Sequence, residues 1–278
     1  MHKYFCSSSL YIFLVIKSLP ALANDSFNQL EVDLISLYNP LGISFSAMGY
    51  HRQIYHHDES VLWDNLYYQW GAQANINPAF IRTGIHFEWM PVAILQIRGQ
   101  YDWLHFNGSS GSLLSFSSSD QPFGDDELEA RKGDEISDNG SRASLHLTLR
   151  AKFNKTIIRN VTNFSYYQFP GVGPFYLERE HEILVATNDH IVSNQLFLLF
   201  ENNNEEGHHS FFGPYHNYVY ARNSDMTSER LGVTWYQEYD TSYGALQKTR
   251  WYIQSGVYLH DPNRKDQLYL IFGIGGDY

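Results

Sequence analysis

Three clusters in this chain bring together residue types that could do chemistry. His208-His209-Ser210 places an imidazole two positions before a hydroxyl. On an extended strand such positions share a face, so His208 could act as base for a Ser210 nucleophile. A third, orienting group is also needed, and the pair adjoins the polar run Asn202-Asn203-Asn204-Glu205-Glu206-Gly207. It reads as a solvated loop end. His56-His57-Asp58-Glu59 offers imidazole and carboxylate ligands, but a metal needs three or four converging groups and strand neighbours point opposite ways, so a polar loop without metal is expected. Glu178, Glu180 and Glu182 would form a single-face acid ladder on a strand, with Arg179 directed away and partners supplied by neighbouring strands.

A larger polar set has a regular period. Between Arg142 and Phe153, Arg142, Ser144, His146, Thr148, Arg150 and Lys152 alternate with Ala143, Leu145, Leu147, Leu149, Ala151 and Phe153. Two earlier stretches, 78–90 and 92–106, divide in the same way. Arg82, His86 and Glu88 oppose Ile81, Ile85, Phe87 and Trp89, while Arg98 and Asp102 oppose Leu95, Ile97, Tyr101 and Trp103. Pro91 marks the turn between them, and Trp89 and Trp103 fall near opposite ends of the apolar face, where an aromatic girdle belongs.

Strands with one greasy and one charged face, repeated along the chain, predict a closed antiparallel barrel whose outward rows meet lipid. After the first segment no apolar run approaches the roughly 20 residues a membrane helix requires. Charges at mid-strand would cost about 2–4 kcal/mol each in hydrocarbon. Arg82, His86, Glu88, Arg98, Asp102, Arg142, His146 and Arg150 are therefore assigned to the lumen. Uncompensated guanidinium groups at Arg82, Arg98 and Arg150 would favour anions over cations there.

The first 23 residues read as an export signal. Lys3 gives the positive end, Leu10 to Ile16 the apolar stretch and Ala21-Leu22-Ala23 the small-x-small cleavage site. The chain's one cysteine, Cys6, lies inside this segment, so the exported protein is expected to have neither disulfide nor thiol chemistry. The full chain has 19 Lys and Arg against 30 Asp and Glu, a net charge of -11. Losing residues 1–23 removes two lysines and no acid. Nucleic acid is thereby disfavoured as a partner, because polyanion binders concentrate basic residues. Much of the acidity sits in one loop: Asp120 to Asp138 holds eight acids against Arg131 and Lys132. That loop lacks the EF-hand pattern, and its apolar Leu113-Leu114-Ser115-Phe116 suggests a segment anchored in the barrel mouth.

Organisation follows from the period. Residues 24–40 are a lead-in, read as a helix or extended arm, and 41–278 form the barrel with the acidic loop at 107–141. Strands are placed near 41–53, 62–75, 78–90, 92–106, 142–153, 157–168, 176–187, 190–201, 213–222, 229–238, 247–259 and 267–278. Turn chemistry stands between several of them, as at Asn154-Lys155 and Asp261-Pro262-Asn263. The count is about twelve, with ten or fourteen open. It leaves a parity conflict: the 107–141 loop and the 260–266 connection should share a side, yet seven strands separate them. A misplaced turn or hairpin near 55–78 or 203–213 is the expected source.

The final strand carries Leu268, Leu270, Phe272, Ile274 and Tyr278 on one face, and the chain stops on the aromatic. This resembles the C-terminal assembly signal of Gram-negative outer-membrane barrels, with Tyr278 in place of the commoner Phe. The resemblance implies an all-β transmembrane barrel in the outer membrane, lipopolysaccharide and outer-membrane lipid around it, and the barrel-assembly machinery as the reader of Phe272, Ile274 and Tyr278. His208 and Ser210 likewise resemble the pair of outer-membrane phospholipases and lipid A deacylases, although Phe211-Phe212-Gly213 replaces the Asn-Gly or Asn-Ala that follows there. The function expected is a narrow channel or uptake protein for small polar solutes, without cofactor. A membrane-embedded lipid hydrolase using His208 and Ser210, or a non-conducting structural or adhesive barrel, are the alternatives.

Overall fold

A computed structural model describes residues 25–57, 60, 62–108, 113–169, 171, 173–204, 208–239 and 248–278. The expected export signal lies outside them. Twelve antiparallel strands close on themselves. They are β1 (Asp25–Tyr38), β2 (Gly42–His56), β3 (Leu66–Ile76), β4 (Phe80–Val92), β5 (Leu95–Asn107), β7 (Ser137–Phe153), β8 (Thr156–Gln168), β11 (Asn188–Asn204), β12 (His208–Ala221), β13 (Met226–Tyr239), β14 (Lys248–His260) and β15 (Leu268–Asp277). Closure is made by β1 against β15, from Glu31 opposite Asp277 to Tyr38 opposite Leu270. Among the described residues the barrel wall has no unpaired strand edge, which is what a backbone surrounded by lipid demands.

Two expectations are corrected here, and the errors offset each other in the strand count. The lead-in at 24–40 is neither helix nor loose arm but strand β1. The segment 176–187 is no barrel strand: it is two short strands, β9 (Phe175–Glu178) and β10 (Ile183–Ala186), paired with β6 (Ser115–Phe116) in a separate three-stranded sheet. Six barrel strands, not seven, therefore lie between the long loop and the last connection. The parity conflict disappears at 175–186, rather than at the places suspected. Pro91 lies inside the end of β4, at a register shift between Trp89 and Val92, and the turn proper is Ala93-Ile94.

Alternation along the strands sorts side chains as the sequence requires. Outward rows carry Leu34, Ile85, Phe87, Leu145, Phe272 and Ile274, all solvent-accessible and all apolar. Aromatic residues stand toward the ends of these rows, among them Trp89 at one end of β4 and Trp103 toward the other end of β5. Tight turns use residues that tolerate left-handed backbone, such as Asn154 at φ 57° between β7 and β8.

The β6–β9–β10 sheet and a short helix α1 (Asp125–Ala130) come from the β5–β7 and β8–β11 connections and plug one end of the barrel. Leu113, Tyr176, Ile183 and Val185 pack on the inner wall at Phe80, Leu104, Tyr167, Ile191 and Val219. On the plug's other face, Leu114, Phe116, Phe123, Leu177 and Leu184 form a second apolar cluster. Leu113 and Leu114 are fully buried, so the acidic loop is anchored by its own apolar residues. Gly140 makes room for this packing, because a Cβ there would collide with the ring of Phe169.

Candidate functional site

The inward faces of β4, β5 and β7 line up in register. Glu88 lies opposite Arg98, which lies opposite His146. His86 opposes Gln100 and then Ser144, and Gly84 opposes Asp102 and then Arg142. All eight residues assigned to the lumen from the sequence lie on this inward face, seven of them buried or half-buried and Arg150 exposed. What they do there differs from one to the next.

Most of the charges neutralise one another. Arg98 Nε donates to Glu88 Oε2 at 2.7 Å, and the Tyr67 hydroxyl donates to Glu88 Oε1 at 2.7 Å. Arg142 grips Asp102 through Nη2 at 2.7 Å and Nε at 2.9 Å, while Gln73 and Gln100 donate to the same carboxylate at 3.1 and 2.7 Å. Gly84 creates the space for Asp102, since a Cβ at position 84 would overlap that carboxylate. His86 leaves both ring nitrogens, and His146 its Nε2, buried without a protein partner.

The plug is tied into this network by its acids. Glu180 receives Arg142 Nη1 at 2.7 Å and also pairs with Arg82. Glu182 pairs with Arg264 at 3.3 Å and with its near neighbour Arg179 at 3.6 Å. Glu178 instead closes its own turn, accepting from the His181 backbone at 2.7 Å and ring at 2.9 Å. The single-face acid ladder is thus corrected. Glu178 ends β9, Glu180 and Glu182 lie in the following turn, and Glu182 has a left-handed φ of 56°.

Burial alone would raise the Glu180 carboxyl, but Arg82 and Arg142 outweigh it and hold the group well below the usual carboxylate range. At Glu182 burial prevails over Arg179 and Arg264, and its carboxyl is raised. A carboxyl held low contributes stability above its unfolded value near 4.5 and loses it as pH falls through the folded value. Amide protection factors over 173–187, taken against the intrinsic rate at each pH, should therefore fall on acidification below that point. Glu180→Gln should exchange faster already at neutral pH and respond less to acid. Identical profiles for the two proteins would show that Glu180 does not hold the plug.

Beyond the paired charges four inward arginines stand apart: Arg52, which donates from Nε to Gln69 at 2.7 Å and lies over the Tyr67 ring, and three more. Arg150 and Arg159 are register partners on β7 and β8, both directed inward. Arg150 donates to the Ala93 carbonyl at 3.1 Å and contacts Met90 Sδ, while Arg159 lies over the Phe197 ring. Arg230 lies over Tyr258 and Tyr269. Among the described residues no ion pair joins any of the four to an acid. The sequence reading is corrected accordingly, since Arg82 and Arg98 are compensated and of the three named only Arg150 is not. Arg159 was missed, although its inward parity on β8 could have been read from the turn at Asn154.

Alongside the plug a cleft of about 480 Å³ remains open. Its wall is Glu31, Asp33, Ser44, Gln73 and Asn75 from β1 to β3, and its other side is the plug turn with Arg179, Glu180 and Glu182. Leu41 and Pro78 sit at its rim. Glu31 and Asp33 face Arg250, at 3.6 and 3.1 Å.

The other sequence candidates are not assembled into sites. His208 and Ser210 both lie on the outer face near the barrel end opposite the plug. Ser210 Oγ accepts from the Trp235 indole at 3.0 Å, and the His208 ring packs edge-on against Tyr239. No hydrogen bond joins the two. His57 faces Asp25 and Asp64, whereas Asp58 and Glu59 lie outside the described residues. Among the described residues no group of three or more His, Cys, Asp or Glu is placed to hold a metal. Phe272, Ile274 and Tyr278 share the exposed outer row at the end of the chain.

A closed twelve-strand wall, apolar outside and charged inside, settles the architecture. The chain is a β-barrel of the outer-membrane type. No protein-family model matches it, and no curated protein matches its sequence. Among solved structures it is similar to the β domain of the Bordetella autotransporter Brka, with a TM-score of 0.44 and 7% identity over 92% of this chain and 100% of that one. It is also similar to an outer membrane channel from Pseudomonas putida F1, at 0.44 and 11% over 94% and 98%. LpxR from Salmonella typhimurium follows, at 0.38 and 11% over 89% and 99%. These likenesses do not extend to activity.

Proposed function

We propose that this barrel is a narrow outer-membrane channel for small polar solutes, with the plug restricting one mouth. The observation that carries the proposal is the cleft between the plug turn and β1 to β3, which leads from the rim to mid-barrel and where Glu31, Asp33, Ser44, Gln73 and Asn75 stand among apolar residues such as Ile35, Leu37 and Phe80. A barrel that only fills its interior would close this space with apolar side chains, as it does against the opposite wall. Twelve strands also stand between the eight that side chains can fill and the 16 or more that leave an open aqueous bore. The acidic loop lies at the plugged mouth, and the uncompensated Arg150 and Arg159 line the far half of the lumen.

Purified protein in planar bilayers should show small unitary currents, and replacing 113–134 by a short Gly-Ser linker should raise them severalfold. Absence of current in both proteins, with the barrel folded by heat-modifiable gel migration, would leave the structural or adhesive reading in its place. The charge inventory adds a selectivity test. Arg150→Gln with Arg159→Gln should move the reversal potential in a salt gradient toward cations. Arg98→Gln paired with Glu88→Gln, which removes both signs together, should leave it nearly unchanged. The lipid-hydrolase reading needs a His-x-Ser pair that faces the membrane, as His208 and Ser210 do, but these two engage Tyr239 and Trp235 rather than each other.

A further inference from the structure

The lipid-facing surface is not apolar all the way round. On β8 the outward row runs Thr156, Ile158, Asn160, Thr162, Phe164 and Tyr166, so two polar residues occupy its centre. Asn194 stands beside them at the centre of the outward row of β11, opposite Thr162 and between Val192 and Leu196. His216 lies mid-row on β12, and Glu229 outward on β13. By contrast, mid-row outward positions on β1, β4 and β7 are Leu34, Ile85, Phe87, Leu145 and Leu147.

Asn160, Thr162 and Asn194 form one hydrogen-bonded seam, and His216 and Glu229 form a separate pair. Asn160 Nδ2 donates to Asn194 Oδ1 at 3.2 Å. Asn194 Nδ2 donates to Asn160 Oδ1 at 3.1 Å and to Thr162 Oγ1 at 2.8 Å, and the Thr162 hydroxyl donates to Asn160 Oδ1 at 3.2 Å. His216 Nε2 meets Glu229 Oε1 at 2.7 Å. Each amide offers two N–H donors and an oxygen with two lone pairs. The seam therefore leaves one N–H of Asn160 and one lone pair of Asn194 Oδ1 unused. In hydrocarbon such groups are costly, and they join membrane segments by bonding across an interface.

We infer that the β8–β13 wall is a docking surface for a second copy of this chain, related by a two-fold axis normal to the membrane. The spare donor and the spare acceptor are complementary, so the patch satisfies itself when it meets its own copy. A two-fold axis places a patch against itself, whereas a ring of three or more sets it against a different face. The mid-row positions elsewhere, Leu34, Ile85, Phe87, Leu145 and Leu147, are hydrocarbon and offer the amides nothing, and the outward Asn28 of β1 is already bonded to His51 at 3.0 Å. This partner is independent of whether the barrel conducts.

The full chain in a Cys6→Ser background, reconstituted in liposomes, provides the test. Native mass and single-molecule photobleaching should give two copies per particle. Leu196→Cys should cross-link to its own copy, while Leu34→Cys on the opposite wall should not. The triple variant Asn160→Leu, Thr162→Val and Asn194→Leu, which suits a lipid-exposed wall, should fold and weaken self-association by more than tenfold. A monomer or trimer for the unmodified seam would overturn the inference. So would equal cross-linking from both walls, or a triple variant that stays dimeric.

Discussion

Arg142→Met is expected to destabilise the folded barrel by about 3–5 kcal/mol, the usual result of removing one partner from a buried pair. Arg142 and Asp102 are both almost completely buried, at 3% and 0% side-chain exposure. The methionine would fill much of the volume but leave Asp102 to the neutral amides of Gln73 and Gln100, and Glu180 to Arg82 alone. The Tyr167 hydroxyl, which takes Arg142 Nη1 at 3.1 Å, would lose its donor as well. Urea unfolding in detergent micelles, followed by tryptophan fluorescence and gel mobility, measures the change. Asp102→Leu added to Arg142→Met should recover part of the loss, since the stranded charge is then gone. A loss below about 1 kcal/mol would mean that water or rearranged neighbours already solvate Asp102.

Leu147→Arg should impair folding far more than Thr148→Arg, although the two positions are adjacent. Leu147 belongs to the outward row of β7, opposite Ile97 and Thr162, whereas Thr148 points inward, opposite Gln96 and Val161. A lipid-facing arginine near mid-depth costs about 2–4 kcal/mol. In the lumen, the new guanidinium would pay for crowding, because Thr148 is only 8% exposed, and for repulsion from Arg150 and Arg159 beside it, but it would not be stranded in hydrocarbon. Folding yield into liposomes from urea distinguishes the positions. Equal yields would contradict the assignment of faces on β7.

Which side chains face lipid and which face the lumen was legible in the sequence, because a strand's period of two is a local property. The inward placement of Arg82 through Arg150 follows from that alternation alone. Two segments escaped it for definable reasons. In β1 the apolar Ile35 and Leu37 face inward while Leu34 faces outward and Ser36 interrupts the outward row, so the alternation of apolar and polar residues is lost, and Leu30, Leu34 and Leu37 also fit a helical stripe. The 175–186 segment has the length of a barrel strand but does not alternate: Ile183, Leu184 and Val185 are all fully buried. Consecutive burial belongs to a strand covered on both faces, and this was the signal that marked the plug.

The sequence by itself determined that this chain makes a closed barrel with a charged interior, since alternation and the cost of charge in hydrocarbon act residue by residue. Only the tertiary structure decided which charges cancel. Glu180 reaches Arg82 and Arg142 across about a hundred and about forty residues, respectively, of intervening chain, while Arg150 and Arg159 meet in register with no ion pair to an acid among the described residues. Pairing depends on the register and closure of all twelve strands and on how two loops fold back into the mouth. Those are long-range outcomes, and no local period encodes them.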